Sequence, residues 1–242
     1  MEMLKLGVNI DHVATLRQAR GAAYPSVIEA VKVCEAAGAW GLTAHLREDR
    51  RHINDVDIVA IHAHAARLNM EMAITEEMLK IAGDLQPNSC CLVPEKRQEL
   101  TTEGGLNVAD ALSKVSRAVK TLQSRNIKVS LFIDPEERQI ALAKEVGADY
   151  IELHTGSYSN AAGAEQVREL DRLIQAAELA HSLGLKVNAG HGIDYENIAG
   201  ILRVPYLNEL NIGFSIISRA LFTGLDQAVR EMRSLMDVYT GK

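Results

Sequence analysis

Val146-Gly147-Ala148-Asp149-Tyr150-Ile151-Glu152-Leu153-His154 contains one complete joint of the fold. A helical pattern ends at Val146, and Gly147 stands where a helix C-terminus favours a left-handed backbone. A short strand-like run follows over residues 150–154, with polar side chains gathered at its end. The joint recurs: Ala36-Ala37-Gly38-Ala39 and Leu183-Gly184-Leu185 also return the chain from a helical stretch to a strand-like one.

Eight such apolar runs occur, at residues 4–10, 41–46, 69–74, 89–93, 128–133, 150–154, 186–189 and 209–214. Helical periodicity separates them, clearest over 26–37, 75–85, 107–125, 136–146, 164–183 and 220–238. Repeated βα units predict a parallel sheet. An open doubly wound sheet would set a Gly-rich dinucleotide turn after the first strand, and none stands there. The expectation is therefore a single (β/α)8 (TIM) barrel domain over residues 1–242, with extra short helices.

Composition narrows the class further. The chain is 47% hydrophobic and 24% charged with 5 Pro, which leaves no stretch that reads as a linker or disordered tail. A net charge of -6 argues against nonspecific nucleic-acid binding and leaves small anions as plausible ligands. No apolar run approaches the roughly 20 residues a membrane helix needs. Cys34, Cys90 and Cys91 have no disulfide or metal spacing, so reduced thiols in a cytoplasm are expected.

The strand ends collect ionisable and amide side chains, while the starts are apolar or carry Lys5, Lys128 and Lys186. Strand 1 ends in Asn9, Asp11 and His12, strand 2 in His45 and Arg47, and strand 3 holds Glu71. Strand 6 carries Glu152 and His154, strand 7 Asn188 and His191, and strand 8 Asn211 and Gly213. A barrel brings all these ends to the face where its active sites are built. Residues two apart share a strand face, which pairs Asn9 with Asp11, His45 with Arg47 and Glu152 with His154. A single such residue could be a hydrogen-bonded plug; burying the whole set costs several kcal/mol unless the groups are paired or used.

Two places suit anions. Ala189-Gly-His-Gly192 and Asn211-Ile-Gly-Phe-Ser215 fall where barrels hold phosphate on backbone N–H groups and a short helix N-terminus. In the basic run from Leu46 to His52, Arg47 and His52 are the candidates for a second phosphate. The stretch from Pro94 to Gly105 is long enough for a lid, with Gly104 and Gly105 as a possible hinge. No Lys ends a strand, so a protein Schiff base is not expected, although Lys96 lies in the lid. His62 and His64 diverge on a helix and read as surface residues. A metal on His45, His154, His191 and a carboxylate stays open as an alternative, as does a noncatalytic phosphosugar-binding barrel.

Gly7-Val-Asn-Ile-Asp-His12, Thr15-Leu-Arg-Gln-Ala-Arg20-Gly, His45-Leu-Arg-Glu-Asp-Arg-Arg-His52, Glu71-Met-Ala, Pro94-Glu-Lys-Arg-Gln-Glu, Thr101-Thr-Glu-Gly-Gly, Glu152-Leu-His-Thr-Gly and Val187-Asn-Ala-Gly-His-Gly192 together closely resemble the pyridoxine 5'-phosphate synthase family of vitamin B6 biosynthesis. The resemblance covers essentially the whole chain. It implies condensation of 1-deoxy-D-xylulose 5-phosphate with 3-amino-2-oxopropyl phosphate, releasing phosphate and water. By the same resemblance His45 is the proton acceptor, Glu71 a general acid/base, His191 the proton donor and Glu152 a transition-state stabiliser. Asn9, Arg20, Gly192, Gly213 and Phe214 are expected on the aminoketone phosphate, and Asp11, His12, Arg47, His52 and Thr101 on the sugar phosphate. Phe214 stands where some members carry His. No metal or redox cofactor is implied, and the expected assembly is an octamer built of dimers in which Arg20 serves a neighbouring subunit.

Overall fold

Parallel strands need a crossover after each one, and this chain supplies at least one helix every time. The computed structural model describes residues 3–95 and 104–241. The chain runs β1 (Lys5–Asn9), α1 (Asp11–Arg20), α2 (Val27–Ala36), β2 (Gly41–His45), α3 (Asp55–His64), β3 (Leu68–Met72), α4 (Glu76–Leu85), β4 (Ser89–Leu92) and α5 (Leu112–Gln123). It continues through β5 (Lys128–Ile133), α6 (Glu137–Glu145), β6 (Tyr150–His154), α7 (Gly156–Asn160), α8 (Gly163–Ser182), β7 (Lys186–Gly190), α9 (Ile198–Ile201), β8 (Leu207–Ile212), α10 (Phe214–Thr223) and α11 (Leu225–Met236). Each strand pairs in parallel with the next, and β8 closes on β1, giving the expected (β/α)8 barrel.

All eight strand runs form strands; 128–133 and 150–154 match their bounds, and the other six shift by a residue or more. Four expectations need correction. Asp11 does not share a strand face with Asn9, because it opens α1, and Arg47 lies beyond the end of β2. Phe214 does not end strand 8; it is the first residue of α10. The single helix expected over 220–238 is two, broken at Gly224 with φ 82°. The lid residues Lys96 and Thr101 lie outside the described residues.

The strands sort their side chains by alternation. Leu6, Val8, Leu42, Met70, Leu92, Leu131, Ile151, Leu153, Val187 and Leu210 join the helices in the main apolar core. The opposite set faces the barrel axis and is largely polar. Ser89 Oγ donates to Asn69 Oδ1 at 2.9 Å, Asn69 Nδ2 to Thr43 Oγ1 at 3.4 Å, Thr43 Oγ1 to Asn211 Oδ1 at 3.0 Å, and Asn211 Nδ2 to Glu152 Oε2 at 2.5 Å. Most barrels fill this space with Val, Ile and Leu; here the apolar contribution on that side is a small separate cluster of Cys91, Val93 and Phe132. Gly7 and Gly190 keep the axis open, since a Cβ at either would overlap Asn211 or Glu152. At the strand starts the polar lining opens into a cavity of about 150 Å³ beside Lys5, Trp40 and Ser130.

Candidate active site

His45 ends β2, and register sets it beside Glu71 of β3. Its side chain is 8% exposed, its backbone N–H donates to Asp11 Oδ1 at 2.8 Å, and its Nδ1 lies 3.9 Å from Glu71 Oε2. Asn9 Nδ2 donates to Asp11 Oδ2 at 3.0 Å and to Glu71 Oε2 at 3.4 Å. Burial, reinforced by the charges of Asp11 and Glu152, holds the Glu71 carboxyl well above the usual carboxylate range. Burial likewise pushes Glu152 up to about 7, with the Asn211 amide pulling the other way. The neutral form of Glu71 is thereby favoured beside an imidazole, an arrangement suited to passing protons in either direction.

On the opposite side of the mouth, His154 ends β6 and its Nδ1 meets Asp134 Oδ1 at 2.9 Å. The His154 ring meets the His191 ring edge-on at 5.1 Å. His191 follows β7 with φ 80°, and burial, followed by the proximity of His154, lowers it to about 4. Asp134 also accepts the Gly105 N–H at 3.1 Å, and its bond with His154 holds it below the usual carboxylate range.

The two anion places differ in chemistry. Gly192 has φ 78°, and Gly213 precedes α10, which opens without a side-chain cap and so presents first-turn N–H groups. The Phe214 side chain is 69% exposed and meets His12 edge-on at 5.3 Å. The second place is cationic. Arg47 is buried with its guanidinium braced on Asp49, which also binds Arg51. His52 accepts the Ile53 N–H on Nδ1, leaving Nε2 to carry the ring proton, and lies 6.1 Å from His45. Arg20 is exposed at the end of α1 and has no ion-pair partner among the described residues. Thr101 lies outside the described residues.

The alternative metal set does not converge as expected. Among the described residues, the group with metal-holding spacing is Asp11, His45 and Glu71, whose ligand atoms lie within 4.8 Å of one another. The Asn9 amide donates to both carboxylates of that group, so N–H groups already occupy the approach between them.

Several residues of the site escaped the sequence. Glu95 binds His45, Asp134 binds His154, and Arg17 of α1 forms a buried bidentate pair with Asp57 of α3, both N–O distances being 2.6 Å. Arg17 also donates to the His52 carbonyl at 3.1 Å, which fixes that loop. Asp134 directly follows β5, so the polar-strand-end pattern extends to it; Arg17 and Glu95 find their partners only through long-range folding.

A carboxyl group raised by burial and set 3.9 Å from an imidazole, at the mouth where this fold holds its active sites, places the chain among barrel enzymes that work by acid–base chemistry. Sequence comparison narrows that class. A family described as "Pyridoxal phosphate biosynthesis protein PdxJ" matches residues 6–238, and the chain belongs to it. Over 239 residues it is 56% identical to the pyridoxine 5'-phosphate synthase of Idiomarina loihiensis, covering 98% of this chain and 99% of that protein. Solved structures share the fold alone. Phosphoribosyl anthranilate isomerase from Thermus thermophilus aligns with a TM-score of 0.59 at 14% identity over 96% of this chain and 98% of its own. A tryptophan synthase α-subunit variant from Pyrococcus furiosus aligns with a TM-score of 0.62 at 11% identity over 96% of each chain.

Proposed function

We propose that this chain is a pyridoxine 5'-phosphate synthase that condenses 1-deoxy-D-xylulose 5-phosphate with 3-amino-2-oxopropyl phosphate, forming pyridoxine 5'-phosphate, phosphate and water. The observation that carries the proposal is the pairing of His45 with Glu71, whose carboxyl group burial holds above the usual range, between two anion places, one for each substrate phosphate. Ring closure needs repeated proton transfers on one bound intermediate, which suits two histidines and two buried carboxylates. The amine comes from a substrate, so the imine forms between the substrates and needs no protein Lys.

In this scheme His45 accepts protons, Glu71 relays them, His191 donates, and Glu152 with its bound Asn211 steadies developing positive charge. Asn9, Gly192, Gly213 and the Phe214 backbone hold the aminoketone phosphate. Asp11, His12, Arg47, His52 and Thr101 hold the sugar phosphate. Arg20 completes a neighbouring copy's site, in an octamer built of dimers and placed in the cytoplasm. Leu16, Tyr24, Phe214, Leu221 and Phe222 are exposed on or beside α1 and α10, which pack together, and they supply an apolar surface for the dimer. Among the described residues no helix is long and apolar enough to cross a membrane.

The test mixes purified protein with both substrates in chelator-treated buffer. Pyridoxine 5'-phosphate and free phosphate in equal amounts are expected, from a species that sediments as an octamer; binding of both substrates without product would favour a phosphosugar-binding barrel. A second prediction concerns the donor. At about 4, His191 is neutral at pH 7, so it needs the charge of a bound phosphate to become an acid. Saturating inorganic phosphate is expected to raise its NMR titration midpoint by about one unit or more. An unmoved midpoint would remove His191 from the donor role.

A further inference from the structure

Glu95 closes the chain at the point where β4 gives way to residues 96–103, and its side chain is only 4% exposed. Three donors fix it. Its Oε1 accepts from His45 Nε2 at 2.8 Å and from the Ala73 N–H at 3.2 Å, while its Oε2 accepts from the Glu48 N–H at 3.1 Å. Burial alone would raise this carboxyl group, but the bonds from His45 and Glu48 and the charges of His45 and Arg47 outweigh it and hold Glu95 below the usual carboxylate range. It is an anion at every pH where the enzyme would work.

A carboxylate has only acceptors to offer. The His45 nitrogen that meets it must therefore be the one that carries the ring proton, and in the neutral imidazole the lone pair falls on Nδ1. That atom faces Glu71 across 3.9 Å. We propose that Glu95 is the positioning residue of His45: it fixes the imidazole as the Nε2–H tautomer and thereby assigns proton abstraction to Nδ1. The inference rests on the condensation proposed above and goes beyond it by naming the reactive atom and the group that selects it.

The proton count closes simply. The proton leaving the substrate bonds to Nδ1, the electron pair stays on the substrate, and the resulting imidazolium keeps its Nε2 proton against the Glu95 anion. The Nδ1 proton then returns to the intermediate, or passes to Glu71 once that carboxyl group has given its own proton to the intermediate. The pairing follows the logic of a histidine oriented by a buried acid in a hydrolase triad, with the two ring nitrogens exchanged in role. The charged and titratable groups facing His45 are Glu95, Glu71 and Asp11, with His52 and Arg47 beyond them. Glu95 is the one of these that bonds directly to the ring.

Two measurements separate this inference from the reaction itself. In the intact wild-type enzyme labelled with ¹⁵N-histidine, His45, assigned by loss of its signal in His45→Asn, is expected as the Nε2–H tautomer at high pH; an Nδ1–H tautomer overturns the proposal whether or not the protein makes product. In kinetics, Glu95→Gln is expected to lower kcat about a hundredfold with KM within about threefold, and to shift the basic group on the acid limb of the kcat profile downward by about one unit. Glu95→Asp should recover part of kcat and of that shift. If Glu95→Gln folds and keeps both kcat and profile, Glu95 has no positioning role. If wild-type enzyme gives no product while the tautomer is as expected, the condensation fails and the orientation of His45 stands.

Discussion

Glu71→Gln is expected to lower kcat about a thousandfold while KM for either substrate changes by no more than about threefold, because an acid/base group acts mainly in the transition state. The substitution is nearly isosteric, and burial with the charges of Asp11 and Glu152 favours a neutral group at this position. A neutral amide therefore suits the same surroundings and keeps an oxygen for the Asn9 amide. What it loses is the ability to exchange a proton with His45. Its thermal midpoint should not fall at pH 8, since the variant removes a group that burial disfavours in ionised form. The sign follows from the raised carboxyl: the folded state holds the proton more tightly than the unfolded chain, so stability present at acid pH is lost as pH rises through the folded value. Steady-state kinetics and a thermal melt on the same preparation check both points. Comparable losses in kcat and in substrate affinity would make Glu71 a binding residue.

The largest effect on stability is expected from Asp57→Ala. Arg17 and Asp57 form a bidentate pair, and their side chains are 10% and 9% exposed. Removing one partner strands the other charge in the interior, which costs about 3–5 kcal/mol. Asp57 also completes the capping box of α3 with Asn54, so the helix start weakens at the same time. Urea unfolding measures the loss, and the thermal midpoint should fall by about 10 °C. Arg17→Leu combined with Asp57→Leu should regain much of the stability, because an apolar pair leaves no stranded charge. The double variant should still bind the sugar phosphate less well, since the His52 carbonyl loses its donor. A destabilisation of Asp57→Ala below about 1 kcal/mol would show that the pair is not a structural brace.

The strands were legible because each is a local event: a short run rich in apolar residues, with Gly behind β2, β6 and β7 and polar residues gathered at the rim end of most. The rim residues His45, Glu71, Glu152 and His191 were legible for the same reason. Helix α1 was not, since its buried face is Asp11, Val13, Ala14 and Arg17, and two charges on that face break the apolar periodicity a helix normally shows. The apolar start of α10 reads as more strand because Phe214, Ile216 and Ile217 continue the β8 composition. Gly224 separates α10 from α11, yet a lone Gly within a helical stretch does not by itself mark an end, so the two read as one. The residues that orient the chemistry were hidden by distance along the chain: Glu95 meets His45 fifty positions away, and Arg17 meets Asp57 forty positions away. The family resemblance supplied roles that spacing could not, including the division of the phosphates between the two anion places.

The polar axis of the barrel separates two kinds of evolutionary change. Apolar burial is concentrated between the strands and the helices, while the amides, hydroxyls and carboxyls inside answer chiefly to one another. Substitutions along the axis can therefore remodel the reaction or its substrates with modest loss of folding free energy, provided each hydrogen bond is replaced in pairs. Substitutions in the outer layer do the reverse. A lineage built on this scaffold could explore new chemistry in its interior while its thermal tolerance drifted independently, a freedom denied to barrels whose centre is packed with branched aliphatic side chains.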